Sequence, residues 1–293
     1  MSEDEIRDEI NSLKAEIREL RKSLSELTPP LSVLLRRRGF RIYKKEPPDD
    51  LLLPGKRFMY DYYAYLNRYS FRLFLRDVIK HQKLFTVKDV TRYSTDEVTE
   101  DYSRFLLRIG LIEKADKGDS YRLKKRPIKS FGPTLEWFLA EILKTEFAAE
   151  ALWGIKFKRP VVGGDYDVIS KIDGSILYME VKSSPPKQIY ANEISAFFDR
   201  IFDLAPEIAL FFMDTELRMK DKIVPMFEEE LKKRSPEALT GYLGIALTAG
   251  ETPPVKRIEK ELFQTGNKIF IINAKDSIVN NIEKVLSRYL RRI

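Results

Sequence analysis

The chain contains no cysteine and only one histidine, His81, among its 293 residues. The absence of cysteine excludes disulfides, thiolate metal sites and a cysteine nucleophile. A single histidine is too few for a zinc site built from several histidines. Metal chemistry in this protein would therefore use oxygen ligands, which favours Mg²⁺ or Mn²⁺.

The chain also lacks a long apolar run. No stretch approaches the roughly 20 apolar residues that a membrane-spanning helix needs. The first residues include Glu3, Asp4 and Glu5, whereas a secretory signal begins with a basic flank. From these two absences we expect a cytoplasmic protein that makes no contact with a membrane.

Charged residues are abundant, with 52 Lys and Arg against 45 Asp and Glu and a formal net charge of +7. This balance agrees with a polyanionic partner such as nucleic acid. Several of the bases are clustered, at 36–38, 124–126, 156–159 and 291–292. A solvated surface of mixed charge explains any single cluster, so the charge favours nucleic acid without identifying it.

The first 28 residues have the spacing of a coiled coil. Seven apolar residues recur at alternating intervals of four and three, namely Ile6, Ile10, Leu13, Ile17, Leu20, Leu24 and Leu27. We predict a coiled-coil helix over 1–28 that forms a homodimer through residues 6–27. The alternative is a helix packed on its own domain. Pro29 and Pro30 end the segment, and residues 29–60 are predicted to be a linker.

Residues 61–128 are predicted to form a winged-helix-like domain. Its predicted elements are helices at 68–82, 87–93 and 94–109, the last opened by a capping box at Ser94, and strands at 111–113 and 121–123. The third helix begins with acidic residues, which repel phosphates. Nucleic-acid contacts are therefore predicted in the wing, at Lys117, Arg122, Lys124 and Lys125. A module that packs or binds a protein partner is the alternative.

Residues 129–293 alternate between helical and strand patterns, which predicts an α/β domain with a mixed sheet. The predicted helices are 134–151, 189–203, 215–234 and 276–292, and the predicted strands lie near Val161 and at 165–172, 176–182, 208–213, 242–247 and 268–272.

Two of these strands carry two acids and a lysine. Asp167 opens an apolar run, and Glu180 and Lys182 flank Val181. Because side chains alternate along a strand, Glu180 and Lys182 are expected on one face. A turn at 173–175 would make an antiparallel hairpin in which Asp167 lies beside Glu180.

Two neighbouring carboxylates repel each other, and a bound divalent cation removes that penalty. We predict a metal site formed by Asp167, Glu180 and the backbone carbonyl of Val181. The metal would polarise a phosphoryl oxygen and lower the pKa of a bound water. Lys182 would orient that water or stabilise the developing charge. The structural alternative is a surface hairpin with an ordinary Glu–Lys pair.

The pattern Gly164-x-x-Asp167 followed by Glu180-Val181-Lys182 resembles the PD-(D/E)XK nuclease superfamily, which includes restriction endonucleases and archaeal Holliday-junction resolvases. The resemblance implies a restriction-endonuclease-like mixed sheet flanked by helices, with a core in the order αβββαβ. The elements predicted between 134 and 213 follow that order. No proline precedes Asp167, which departs from the motif.

The resemblance implies further site residues. The family often places a glutamate in its first core helix, and Glu136 is the best candidate because its neighbours three and four residues on, Leu139 and Ala140, are apolar. Glu141 and Glu146 are alternatives, and a salt-bridged surface glutamate is the structural reading.

The segment after the lysine is also implicated. Ser183 and Lys187 lie where related nucleases contact a phosphate, and Gln188 lies where some carry a site glutamine. A loop that ends in a helix cap explains them equally well. Asp165 ranks below Asp167 as a metal ligand.

These patterns together predict a Mg²⁺- or Mn²⁺-dependent endodeoxyribonuclease with Asp167, Glu180, Lys182 and Glu136 as catalytic residues. DNA is the expected partner, and RNA is an alternative substrate for the same chemistry. The alternative of a different class is a non-catalytic nucleic-acid-binding or assembly protein that uses a nuclease-like fold.

Overall fold

The computed structural model describes residues 28–47, 50–115, 118–125, 127–158, 162–243, 245, 247 and 251–291, together with nine residues between 6 and 23. Those nine are helical and exposed, and they include Ile6, Ile10, Leu13, Ile17 and Leu20. Leu24 and Leu27 lie outside the described residues. The described part of the chain leaves this apolar stripe uncovered, and the coiled coil and homodimer stay predictions.

The first half of the chain is mainly helical. In order, it contains α1 (Leu31–Arg37), β1 (Ile42–Lys44), α2 (Met59–Leu66), α3 (Tyr69–Lys80), α4 (Asp96–Arg108), β2 (Ile112–Lys114) and β3 (Tyr121–Leu123). Thr95 caps α4 by accepting a hydrogen bond from the backbone N–H of Val98. The strands β2 and β3 pair antiparallel, and Phe85 bridges to Tyr121. The winged-helix-like assignment of 61–128 stays a prediction.

The second half contains most of an eight-stranded mixed sheet. Its elements are α5 (Gly132–Glu146), β4 (Glu150–Phe157), β5 (Tyr166–Ile172), β6 (Ser175–Lys182), α6 (Ala191–Leu204), β7 (Ile208–Met213), α7 (Ile223–Lys233), α8 (Pro236–Leu243), β8 (Lys256–Glu259), β9 (Leu262–Thr265), β10 (Ile269–Asn273) and α9 (Ile278–Leu290). The strand order is β1-β4-β5-β6-β7-β10-β9-β8. The pairs β6–β7 and β7–β10 are parallel and the others are antiparallel. This is the predicted fold class, an α/β protein with a large mixed sheet flanked by helices.

The hairpin of β5 and β6 is closed by the two-residue turn Asp173-Gly174, because Ile172 pairs with Ser175. Both turn residues have positive φ, 47° and 80°. Asp-Gly suits such a turn, whose twist matches that of the flanking strands. The sequence prediction of an antiparallel hairpin at this position is confirmed.

Helices cover both faces of the sheet. One buried cluster combines α2, α3, α4, α5 and α9 with one sheet face, and a second combines α1, α6, α7 and α8 with the other. The first cluster runs from Leu52 to Leu286, so residues 61–128 share a hydrophobic core with the sheet. The two outermost strands, β1 and β8, are short.

Several predicted boundaries are wrong. The first core helix ends at Glu146 rather than 151, since Ala148 adopts a left-handed conformation (φ 49°) and β4 begins at Glu150, which pairs with Lys171 of β5. The strand expected near Val161 is this β4, and Val161 itself lies outside the described residues. The charged helix begins at Ile223 instead of 215.

Other predictions misjudged the type of element. Tyr242 and Leu243 end helix α8 instead of opening a strand. Thr95, not Ser94, caps α4. The strands β8 and β9 had no counterpart among the predicted elements. Among the described residues, no helix has both the length and the apolarity to cross a membrane.

Candidate active site

The β5–β6 hairpin brings Asp167 and Glu180 together. Val168 pairs with Met179, so the same register places Asp167 opposite Glu180. The Asp167 Oδ2 atom accepts a hydrogen bond of 2.7 Å from the backbone N–H of Val181. Asp167 as a whole residue is half-buried.

Glu180 is the centre of a buried ionic cluster, with 4% of its side chain exposed. Its Oε1 lies 3.0 Å from Lys182 Nζ, and its Oε2 accepts a 2.8 Å hydrogen bond from Arg200 Nη1 and another from the Tyr178 hydroxyl. Lys182 and Glu180 therefore share a face, as the alternation along the strand predicts. Lys182 Nζ also lies 3.0 Å from Glu193 Oε1.

Glu136 reaches the same region from α5. Its carboxylate lies near two glycines, since a Cβ at Gly132 or Gly154 would come 3.9 Å from its Oε1 or 3.8 Å from its Oε2. Glu136 interacts electrostatically with Asp165, Glu180 and Lys182.

The two alternatives have other partners. Glu141 pairs with Lys144 at 2.9 Å, and Glu146 accepts a 2.7 Å hydrogen bond from the Tyr63 hydroxyl.

The carboxylates crowd one another. Burial, followed by the charges of Asp165 and Glu180, raises the pKa of Glu136 from 4.5 to about 8, while Lys182 opposes the shift. Burial, followed by Glu180 and Glu136, raises the pKa of Asp167 well above its ordinary value. The Val181 N–H and Lys182 act in the opposite direction and do not cancel the increase. Both carboxyls are therefore protonated more readily in the metal-free site than free carboxyls are, and a bound cation would oppose that shift.

The basic groups of the site stay protonated. Burial by itself would lower the pKa of Lys182, but Glu180 and Glu193 raise it above its ordinary value. For Arg200, burial is likewise outweighed by Tyr178 and Glu180, and the pKa is raised. Burial, then the charge of Glu180, raises the pKa of the Tyr178 hydroxyl, so this group is a hydrogen-bond donor at neutral pH.

The donor set suits a hard divalent cation in chemical type. Asp167 and Glu180 supply carboxylate oxygens, which Mg²⁺ and Mn²⁺ prefer, and a cation would relieve the repulsion between these carboxylates. Within the described ranges, no three acidic or histidine side chains form a metal-binding group by themselves. A metal held here would need the two carboxylates together with the backbone, consistent with the predicted use of Val181. The Glu180 oxygens would also have to exchange part of their contact with Lys182, Arg200 or Tyr178.

The predicted nucleic-acid-binding residues lie in two places, the segment between β6 and α6 and the β2–β3 region. Ser183 is half-buried next to Lys182, whereas Lys187 and Gln188 are exposed in a short 3-10 turn before α6. Asp165 pairs with Lys156 at 2.9 Å.

The wing residues belong to the β2–β3 region and not to the eight-stranded sheet that carries Asp167. Arg122 pairs with Glu113 at 2.7 Å, and Lys124 is exposed. Lys117 lies outside the described residues.

Sequence reasoning missed Arg200, Glu193 and Tyr178. Glu193 and Arg200 are seven residues apart in α6, so they lie on one side of the helix. A charged pair at that spacing, in a helix whose Ile194, Phe197 and Ile201 are buried, was the available signal. Glu193 also accepts a 2.9 Å hydrogen bond from the backbone N–H of Tyr190, which fixes the start of α6 beside Lys182.

Comparisons with known proteins assign no family. No family model matches the chain, and no curated protein matches it. Among solved structures, Can2 from Sulfobacillus thermosulfidooxidans in complex with cyclic tetra-adenylate is similar at a TM-score of 0.39 and 17% identity, over 62% of this chain and 50% of that one. Protein VC1899 from Vibrio cholerae is similar at a TM-score of 0.40 and 13% identity, over 65% and 53%. The chain spans about half the length of each.

Proposed function

We propose that this protein is a divalent-metal-dependent endonuclease that hydrolyses DNA phosphodiester bonds. The observation that carries the proposal is the meeting of Asp167, Glu180 and Glu136 around one lysine, Lys182, with the pKa of Asp167 and of Glu136 raised by burial and mutual repulsion. Groups with perturbed pKa values that converge at one place are typical of catalytic sites. An ordinary surface Glu–Lys pair would be exposed, whereas Glu180 is buried.

The order of elements from α5 to β7 supports the proposal. Helix, three strands, helix and strand follow one another, and β4-β5-β6-β7 are neighbours in the sheet. This is the αβββαβ order that the resemblance to PD-(D/E)XK nucleases implies. This order places Asp167 at the start of β5 and Lys182 at the end of β6. Because the two strands are antiparallel, both residues lie at the open end of the hairpin.

Each residue has a role that follows from its surroundings. Asp167 and Glu180, with the Val181 carbonyl, would hold the cation, which when bound polarises the phosphoryl oxygen and acidifies water. Lys182 remains protonated and can orient the attacking water or stabilise the developing negative charge. Arg200 and Tyr178 fix the orientation of the Glu180 carboxylate. Glu136, with a pKa of about 8, can accept or hold a proton near neutral pH.

The test is metal-dependent cleavage by the full chain. Labelled duplex, single-stranded, flap and four-way DNA would be incubated with Mg²⁺, Mn²⁺ or EDTA, using wild type, Lys182→Ala and the control Lys232→Ala, whose lysine is exposed on α7. We expect cutting by wild type and the control, and a loss of roughly a hundredfold or more in Lys182→Ala. Metal-dependent cutting that persists in Lys182→Ala would refute the assignment.

A non-catalytic nucleic-acid-binding or assembly role is favoured by one observation. Both Glu180 oxygens already contact Lys182, Arg200 and Tyr178, an arrangement that also suits a purely structural ion cluster. That alternative predicts DNA binding without cleavage under any metal, and binding that is unchanged in Asp167→Ala.

A further inference from the structure

A basic cleft lies beside the candidate active site, between α3 and the segment that leads into α5. Its volume is about 400 Å³, and its walls include Arg76, Lys80, Lys129 and Ser183. The residues that line it carry three cations and no carboxylate. Ser183 directly follows Lys182, so one wall of the cleft is the end of the strand that carries the site.

Asp214 connects the cleft to β6, the strand that ends at Lys182. Its backbone N–H donates a 2.8 Å hydrogen bond to the Lys182 carbonyl, and its carboxylate contacts Arg72 and Arg76 of α3. Two guanidinium groups around one carboxylate leave a net positive charge at this end of the cleft. Arg76 Nε is buried and has no hydrogen-bond partner among the described residues. Buried donors are normally paired, so an unpaired one requires an explanation.

The opposite wall of the cleft is fixed by hydrogen bonds within the protein. Gln82 forms two 2.8 Å hydrogen bonds with the backbone of Ile128, one from its amide nitrogen and one to its amide oxygen. These bonds fix the segment that carries Lys129 against α3. The Lys129 side chain is 80% exposed and its Nζ lies 3.6 Å from Asp50 Oδ2, a weak surface pair. Lys80 is exposed at the end of α3.

We propose that this cleft binds the phosphodiester backbone of the substrate strand next to the scissile phosphate. A DNA strand with one phosphate at Lys182 must continue past a residue next to Lys182. On the side of the cleft that residue is Ser183, which lines the cleft. Arg76, Lys80 and Lys129 contact the phosphates, and the Ser183 hydroxyl donates a hydrogen bond. Such contacts set the position of the strand and carry no sequence specificity. The inference rests on the proposed nuclease site and adds the path of its substrate.

The test measures binding separately from cleavage. The full chain carrying Lys182→Ala, in EDTA, would be titrated with fluorescein-labelled single-stranded DNA and its duplex over a range of salt concentrations. Lys80→Ala with Lys129→Ala would be compared with Lys232→Ala with Lys256→Ala, two exposed lysines outside the cleft. We expect about a tenfold or greater loss of affinity for the cleft pair, and a salt-dependence slope that is shallower by about 1.4 for a single strand.

The outcomes separate this inference from the proposed function. Equal affinity and equal salt slope in the cleft pair and the control pair would overturn the cleft, even if wild type cuts DNA. Loss of binding in the cleft pair alone would support it, even if no cleavage is found. Competition by AMP at the same phosphate concentration as DNA would instead indicate a small-anion site and would also overturn the proposal. Thermal melting of each variant checks that the fold is retained.

Discussion

Two antiparallel hairpins in this protein carry an acid and a base, and they differ in the burial of the pair and in the carboxylates around it. In β2–β3, Glu113 and Arg122 are directly opposite, 2.7 Å apart, with about a third of each side chain exposed (36% and 35%). In β5–β6, Glu180 is 4% exposed and Lys182 is 17% exposed, and two more carboxylates face them. An ion pair by itself therefore does not identify a functional site. Burial combined with several crowded carboxylates distinguishes the candidate site.

The largest expected effect is at the centre of the buried hairpin. Glu180→Ala removes the carboxylate partner of Arg200 and one of the two carboxylate partners of Lys182, which keeps Glu193. Uncompensated buried charges typically cost about 3–5 kcal/mol. We expect loss of metal-dependent cleavage together with a large drop in the free energy of unfolding measured by urea titration. The matched change, Glu113→Ala, is expected to cost about 1 kcal/mol or less, since exposed pairs contribute little. A small stability change in Glu180→Ala would contradict the buried ionic cluster.

The second effect is a dependence of stability on pH. Folding raises the pKa of Glu136 from 4.5 to about 8, so the protonated form is the one that the fold favours. Its contribution to stability is complete below pH 4.5 and is lost as pH rises through 8. We expect metal-free wild type to lose stability over that range, by an amount on the order of a few kcal/mol.

Glu136→Gln should flatten this profile, and Glu141→Gln, on the same helix, should not. Because Asp167 titrates in the same direction, part of the slope should remain in Glu136→Gln. Mg²⁺ should stabilise wild type more at pH 8 than at pH 5. Thermal melting across pH, with and without Mg²⁺, provides the measurement. Identical profiles of melting temperature against pH for wild type and Glu136→Gln would contradict the predicted contribution of Glu136.

A third, smaller effect concerns the support of the buried hairpin. Gly164 has φ +104°, and a Cβ there would lie 2.7 Å from Arg200 Nη2. Gly164→Ala should therefore cost about 1–3 kcal/mol through backbone strain and displace Arg200 from Glu180. We expect lower cleavage activity as well as a lower melting temperature. Gly163→Ala is the control, because nothing lies within 4 Å of its Cβ position. Equal behaviour of the two variants would contradict the close packing of Arg200 against Gly164.

The smallest effect is expected in the exposed hairpin. Arg122→Ala removes a surface ion pair and should change stability by about 1 kcal/mol or less. If the hairpin also contacts DNA, as the sequence predicts, affinity falls a few-fold and the salt-dependence slope decreases by about 1, while the rate of cutting at saturating DNA is unchanged. A large loss of that maximal rate would mean that the two hairpins act as one site.

The hairpin and its charged residues were predictable because they depend on neighbours in sequence. Asp173-Gly174 specifies the turn, and the two-residue alternation places Glu180 with Lys182. The hairpin inferences needed only local periodicity. Glu136 lies near these residues, but a glutamate in this helix was expected from the resemblance, and its apolar neighbours served only to choose it among the glutamates of α5.

Arg200 could not be placed in the same way. Its contact with Glu180 spans twenty residues and depends on how α6 crosses the sheet, which local periodicity does not report. The errors at Tyr242 and Leu243 have a similar origin. An apolar run of this length suits either a strand or a buried helix, and packing against the sheet decides between them. The strand β8 was missed because Lys256, Arg257 and Glu259 give it little apolar character.

The two short strands at the ends of the sheet have a consequence for self-association. β1 has three residues and β8 has four, and charged side chains at Lys44, Lys256, Arg257 and Glu259 occupy them. Short, charged edges are poor templates for adding a strand from another molecule. Growth of the sheet between copies is therefore disfavoured, which protects a long hydrophobic sheet from forming fibrils or open chains of subunits.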